Sequence, residues 1–364
     1  MTSFQLRDRG TAERVLYALK ALDQDLNIMH VCGTHQDTLV RFGLDPLLRE
    51  AGVKVRQGPG CPVCVTTGEE IEHAVTLARK GKVIASFGDM LRVPGKEMDL
   101  ASARSEGADV RIVYSSTDVI RMARSEPHKE FVFLGIGFET TAPTTSALLL
   151  DKGLPENVSI LSYHRTVPPA LAAIANMGEL RLDGLIEPGH VSMVIGEAPY
   201  RFLSEEHGLP QAIAGFEPLD MLMACLEIAK QKSEGRSVLT NLYSRVVRPE
   251  GNPAALKAMS RTFCTADVRW RGFPVIPGSG LSIREEFAEH DARKRFEDEL
   301  QEVKDLVIPE PPGCRCGEVL RGLMEPRDCP LFGHACTPMS PVGPCMVSRE
   351  GGCNIEFRWG RKQF

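Results

Sequence analysis

Six of the chain's eleven cysteines fall in its last 51 residues, at Cys314, Cys316, Cys329, Cys336, Cys345 and Cys353. Thiolates carried on short Gly/Pro-rich turns can swing toward one point, as a metal centre requires. A [4Fe–4S] cluster takes four of them, and so does a tetrahedral zinc. Zinc ribbons pair two CxxC knuckles, and this segment has none. Its spacings, a CxC followed by gaps of 12, 6, 8 and 7 residues, suit a cluster better. Two sulfurs are then left over, and a disulfide beside the cluster is one use for them.

A second set of sulfurs lies far upstream. Gly-Pro-Gly-Cys61-Pro-Val-Cys64 brings two thiols close enough to share a metal or to close a disulfide, and spacing alone does not choose between these. A helix expected from about Thr67 would favour a thiolate there, and the flanking glycines and prolines predict a tight, exposed loop. Cys32-Gly-Thr-His35 adds a thiol and an imidazole. Taken alone, either is more often structural. Beside the CxxC loop, three sulfurs and a nitrogen could meet as a soft donor set for iron or zinc. In Gly135–Thr145, Glu139 and the hydroxyls of Thr140 and Thr141 can move protons or hold small polar groups. An ordinary strand–helix turn with threonine caps fits that segment equally well. His190 is similarly placed; His164 and Asp89 carry less weight. Cys225 and Cys264 are expected to be buried in apolar helical surroundings.

These residues need elements to present them. Short β-branched runs at 27–31, 53–56, 82–86, 110–114, 131–134, 159–163, 184–186 and 212–214 alternate with helical stretches such as 69–80 and 169–177. The alternation predicts α/β architecture with parallel sheets and helices on both faces. The polar motifs fall just after the strands, where open α/β sheets bind ligands. A break at 125–130 predicts two α/β domains, 1–128 and 129–245, facing a central cleft. Residues 246–364 are expected to hold a mixed region, with helices at 253–260 and 284–303, and a small C-terminal [4Fe–4S] domain.

The formal net charge of −5 shows no nucleic-acid surface, and no apolar run approaches the roughly 20 residues that span a bilayer. The first twenty residues carry charges throughout and lack a signal-peptide core, so a cytoplasmic location is expected, where clustered thiols bind metal or do redox work. Neither a GxxxxGK[ST] loop nor a GxGxxG after the first strand is present, and CxxxCxxC is missing.

In order from about residue 29 to 353, the motifs CGTH, GPGCPVCV, FGDMLRVPG, GADVRIVYS, GFETTAPTT, PGHVSMVIG, GFEPLD, WRG and CGEVL…CPLFG…C resemble the HypD family of hydrogenase maturation proteins. The resemblance implies two α/β domains around a cleft, plus a [4Fe–4S] domain. It implies a role in assembling the Fe(CN)2CO group of [NiFe] hydrogenases, in a stable complex with HypC and with cyanide ligands arriving from HypE. The chain alone is expected to be a monomer, and a scaffold and redox protein rather than a conventional turnover enzyme. By motif position, Cys32 would bind Fe(II) carrying CN and CO with His35 beside it, and Cys61 and Cys64 would bind iron or exchange electrons. Cys316, Cys329, Cys336 and Cys353 would hold the cluster, leaving Cys314 and Cys345 as a possible disulfide. Glu139, Thr140 and His190 would line the cleft. Gln36 stands where the family often has Glu, and an amide cannot act as a base. A thiol–disulfide oxidoreductase fed by an iron–sulfur cluster needs the same thiol pair, and a zinc-stabilised binding protein is a further rival.

Overall fold

A computed structural model describes residues 8–360. Part of the stretch on which the signal-peptide expectation rests, residues 1–7, lies outside the described residues. Two parallel sheets form the framework. The first has five strands in the order β2 (Val53–Gln57), β1 (Leu26–His30), β7 (Gly184–Pro188), β8 (Gln211–Ala214), β9 (Leu239–Asn241). The second has four, β4 (Val110–Ile112), β3 (Val83–Ser86), β5 (Phe131–Gly137), β6 (Val158–His164). Every residue of β5 and β6 is buried, as expected of strands with helices on both faces.

The expected division at 128/129 does not separate the sheets. After β2 the chain leaves the first sheet, builds the whole second sheet, and returns at β7, where Ile28 of β1 pairs with Gly184. Parallel neighbours are joined by crossovers of any length, so strand spacing along the sequence does not reveal which strands pair.

Several helices extend or break where local chemistry directs. The helix expected at 69–80 is Gly68–Arg79, started by a capping box of Thr67 and Glu70. That at 169–177 is Val167–Met177, begun earlier because proline suits the first helical turn. Pro253–Thr262 replaces 253–260 and is capped by Asn252. The helix expected at 284–303 is instead four short turns. Tertiary anchors override its helical pattern: the His290 ring Nδ1 contacts the Val158 carbonyl at 2.7 Å, and Arg293 donates to that of Ser162 at 2.5 Å. An antiparallel hairpin of β10 (Phe263–Arg269) and β11 (Val275–Ile283) stands in the region expected to be mixed, and Thr166 N–H donates to the Ser279 carbonyl to dock it on the second sheet. Cys264 therefore lies exposed on a strand, whereas Cys225 is buried in the helix Pro218–Ser233 as expected.

The cysteine-rich segment is built of short helices, Cys316–Leu320, Pro344–Val347 and Gly352–Trp359. Its last helix leans on Gly33–Arg41, with the Trp359 indole donating to Asp37 at 2.9 Å. No helix of the described residues is long and apolar enough to cross a membrane.

Candidate functional site

In the first sheet the strand order reverses between β1 and β7, and ligands bind at such a switch point, beyond the carboxyl ends of the strands. A cleft of about 370 Å³ opens there, lined by Cys32 after β1, Gly60 after β2 and His190 after β7. The second sheet contributes Thr140 after β5, and the cysteine-rich segment contributes Glu350.

Glycines let these loops touch. A Cβ on Gly60 would lie 2.2 Å from the Cys32 backbone nitrogen, and one on Gly33 would lie 2.6 Å from the Glu350 carbonyl oxygen. Cys32 occupies the cap position of the helix Gly33–Arg41. Burial pushes its thiol up to about 11 against the pull of the His35 and Thr34 N–H groups, so the sulfur keeps its proton until a cation displaces it. His30, which sequence reasoning passed over, orients this loop. Its Nδ1 accepts from the Cys32 N–H at 3.4 Å, which leaves Nε2 as the protonated nitrogen, donating to Gln36 Oε1 at 2.8 Å. Gln36 thus serves as an acceptor, a task its amide can perform.

The expected meeting of three sulfurs and a nitrogen does not occur. His35 is fully buried, its Nε2 donating to the Gly215 carbonyl at 3.0 Å and its ring lying 5.1 Å from that of Phe216. Burial holds it neutral, near 3, and it does not line the cleft. The helix it sits on faces the loop after β8, a neighbour no local pattern could name. Cys61 and Cys64 are joined as a disulfide with Cα atoms 5.2 Å apart, and both are buried rather than on an exposed loop. Cys61 caps a separate short turn, Pro62–Val65, that carries Cys64, so the helix from Gly68 does not cap the pair. The Cys64 sulfur lies 4.0 Å from the Pro344 carbonyl, next to Cys345.

Thr140 and His190 do reach the cleft, and His190 stacks on Phe216 at 3.9 Å. Glu139 lies beneath it. One carboxyl oxygen accepts from Val167 N–H at 2.9 Å, the other has no partner among the described residues, and burial raises the group to about 7. Glu187, read only as part of the motif around His190, is buried with both oxygens unpartnered among the described residues and is raised to about 8. Tyr200 packs close enough to feel Glu187, Glu139 and Cys32. A buried Glu and Tyr give no periodic signal, so sequence could not have grouped them. His164 is also buried, paired with Thr145 at 2.8 Å, and Asp89 accepts from Ser348 at 3.5 Å.

In the cysteine-rich segment, Cys314, Cys316, Cys329, Cys336 and Cys353 line one enclosed cavity. Cys345 stands outside it, and the neighbouring thiols of Cys316 and Cys353, together with burial, push its own thiol well above the usual range. Cys314 and Cys345 are both free, so the expected Cys314–Cys345 disulfide is not formed. A Cβ on Gly343 would sit 2.6 and 2.7 Å from the Cys314 and Cys316 sulfurs, so a side chain there would fill the space the thiols face. No group of three or more His, Cys, Asp or Glu among the described residues is arranged to hold a metal ion as it stands. Five cysteines set among Val319, Leu331, Phe332 and Met346 around one cavity fit an iron–sulfur cluster, which spreads its ligands over several atoms.

The motifs and their placement agree with known proteins. The family model described as "HypD: Hydrogenase formation hypA family" matches residues 10–360. The chain belongs to the HypD family. It is 45% identical to a putative hydrogenase expression/formation protein of Methanocaldococcus jannaschii, over 98% of this chain and 99% of that one. It is 41% identical to the hydrogenase maturation factor HypD2 of Bradyrhizobium diazoefficiens, over 98% and 96% of the two chains. It is 40% identical to the hydrogenase maturation factor HypD of Escherichia coli, over 96% and 94%. HypD-family membership thus covers the cleft loops and the cysteine-rich segment together.

Proposed function

We propose that this chain is the scaffold on which the Fe(CN)2CO group of [NiFe] hydrogenases is assembled, acting in the cytoplasm with HypC and receiving cyanide from HypE. The observation that carries this reading is the convergence of loops from both sheets on one thiol, Cys32. Iron carrying cyanide and carbon monoxide is the cargo. Cys32 gives up its proton to bind it, and the site is sheltered by burial of the thiol. Thr140 and His190 stand at the rim, where they can hydrogen-bond small polar ligands. Glu139, buried with a free carboxyl oxygen, is a proton-holding group below them. The Cys61–Cys64 pair is the redox element: two electrons and two protons convert its S–S bond to two thiols.

Cys316, Cys329, Cys336 and Cys353, the set that the family motif implies and four of the five cysteines lining one cavity, are assigned as ligands of a [4Fe–4S] cluster, which when bound supplies electrons singly. The test is infrared spectroscopy of the anaerobic complex with HypC. The wild-type chain should show cyanide and carbonyl bands. Cys32→Ala should lose them and keep its cluster, and bands surviving in that variant would sink the assignment.

The disulfide at Cys61–Cys64 also favours a second reading, a thiol–disulfide oxidoreductase fed by the cluster. That reading requires no iron beyond four atoms per chain, so metal analysis of the anaerobic complex separates the two.

A further inference from the structure

The turn Trp270-Arg271-Gly272, between β10 and β11, takes no part in the function proposed above. Each of its three residues touches a different functional segment. Trp270 is fully buried, donates through its indole N–H to Ser279 at 2.9 Å, and stacks on Phe138 of the cleft loop with ring centres 5.5 Å apart. Arg271 is only 4% exposed. Its backbone N–H donates to the Val65 carbonyl, and its Nε donates to that of Thr66, each at 2.8 Å. These are the two carbonyls that follow Cys64. A terminal nitrogen of the same guanidinium donates to Glu310 at 2.6 Å, in the proline-rich approach to Cys314. Gly272 has φ +80, and a Cβ there would lie 2.3 Å from Gly317 Cα, beside Cys316. The turn is therefore wedged between the thiol-pair loop and the sulfur-lined cavity.

We infer that Trp270–Gly272 is a bracket that holds the Cys61–Cys64 pair and the cysteine-rich segment at a fixed separation, with Arg271 as the positioning residue. The inference rests on the reading that electrons pass between these two sulfur sites. Arginine suits the task because its planar fork can grip a carbonyl and a carboxylate at once, whereas lysine offers a single point charge. Holding the carbonyls after Cys64 keeps the loop in its closed geometry. That lowers the entropy lost when the disulfide forms.

The test uses the full chain, prepared anaerobically and loaded with iron and sulfide, as wild type, Arg271→Met, Arg271→Lys and Glu310→Gln. In the first measurement the pair is equilibrated with dithiothreitol and the thiols are trapped by alkylation. Arg271→Met should move the equilibrium toward the dithiol about tenfold, which for this two-electron couple is about 30 mV. Arg271→Lys should move it the same way by less, and Glu310→Gln should leave it within about twofold of wild type, since it keeps the grip on Thr66. In the second, dithionite reduces the cluster and the rate of thiol appearance at Cys61 and Cys64 is followed. Opening the pair takes two electrons from dithionite and two protons from water. Both Arg271→Met and Glu310→Gln should slow this about tenfold, with unchanged iron and sulfide content.

A merely stabilising role would lower the thermal midpoint and move neither readout. Both readouts staying within about twofold of wild type in folded Arg271→Met, or in Arg271→Lys should the first variant not fold, would overturn the bracket. If the wild-type pair never opens on dithionite, the electron-exchange reading falls, and the dithiothreitol equilibrium still decides the bracket.

Discussion

Glu187 offers a prediction with a definite sign. It lies on β7, one residue before the strand's end, with both carboxyl oxygens buried and unpartnered among the described residues, and desolvation raises it from an ordinary 4.5 to about 8. Between those two values the unfolded chain has released the proton that the folded chain still holds. Stability therefore falls as pH rises through that window and is flat above it. Each pKa unit is worth about 1.36 kcal/mol, so the cost of Glu187 should be on the order of 3 kcal/mol at pH 7 and 5 kcal/mol above pH 8. Glu187→Gln keeps the shape and removes the proton equilibrium. Near pH 5 the two proteins should unfold at similar urea concentrations. From there to pH 8 the difference should grow in favour of the glutamine variant by about 1.4 kcal/mol per pH unit, an upper figure that side-chain relaxation would reduce. Glu139 titrates in both proteins and cancels in the difference. The assay is urea unfolding of wild type and variant at pH 5, 6, 7 and 8.5, with the midpoint difference plotted against pH. A difference that stays constant across that range would show that the folded protein does not hold Glu187 neutral, and the argument from burial would fail.

Two further outcomes follow from the packing. Gly60→Ala places a Cβ 2.2 Å from the Cys32 nitrogen, where backbone cannot yield, so stability should drop by about 1–3 kcal/mol and iron loading at Cys32 should fall with it, read by urea midpoint and metal content. Cys316→Ser should abolish the cluster's visible absorbance, whereas Cys314→Ser should retain it; the reverse pattern would make Cys314 the ligand.

Much of the site was legible in the chain because its chemistry sits in short motifs. Cys32, Thr140 and His190 all follow strands, and a parallel sheet delivers strand ends to one edge, so each was found by position. His35 misled because its motif neighbour is Cys32, while its packing neighbours are Gly215 and Phe216, 180 and more residues away. His30 was missed because a histidine inside a strand reads as core. The Cys61–Cys64 loop looks exposed from its glycines and prolines, yet it is covered by the cysteine-rich segment and the hairpin turn at Arg271.

Sequence by itself determined the α/β class, the strands of the two parallel sheets other than β9, the helices near 69–80, 169–177 and 253–260, and the two sulfur sets, because periodicity, capping and spacing are local properties. Tertiary structure alone decided that β1 pairs with β7, so that one sheet is interrupted by the whole of the other. It also decided which thiols face one another. Cys345 meets Cys316 and Cys353 rather than Cys314 because three short helices and the Gly343 turn bring them together. Contacts of this kind depend on the folded path of the chain, and no pattern along the sequence encodes their partners.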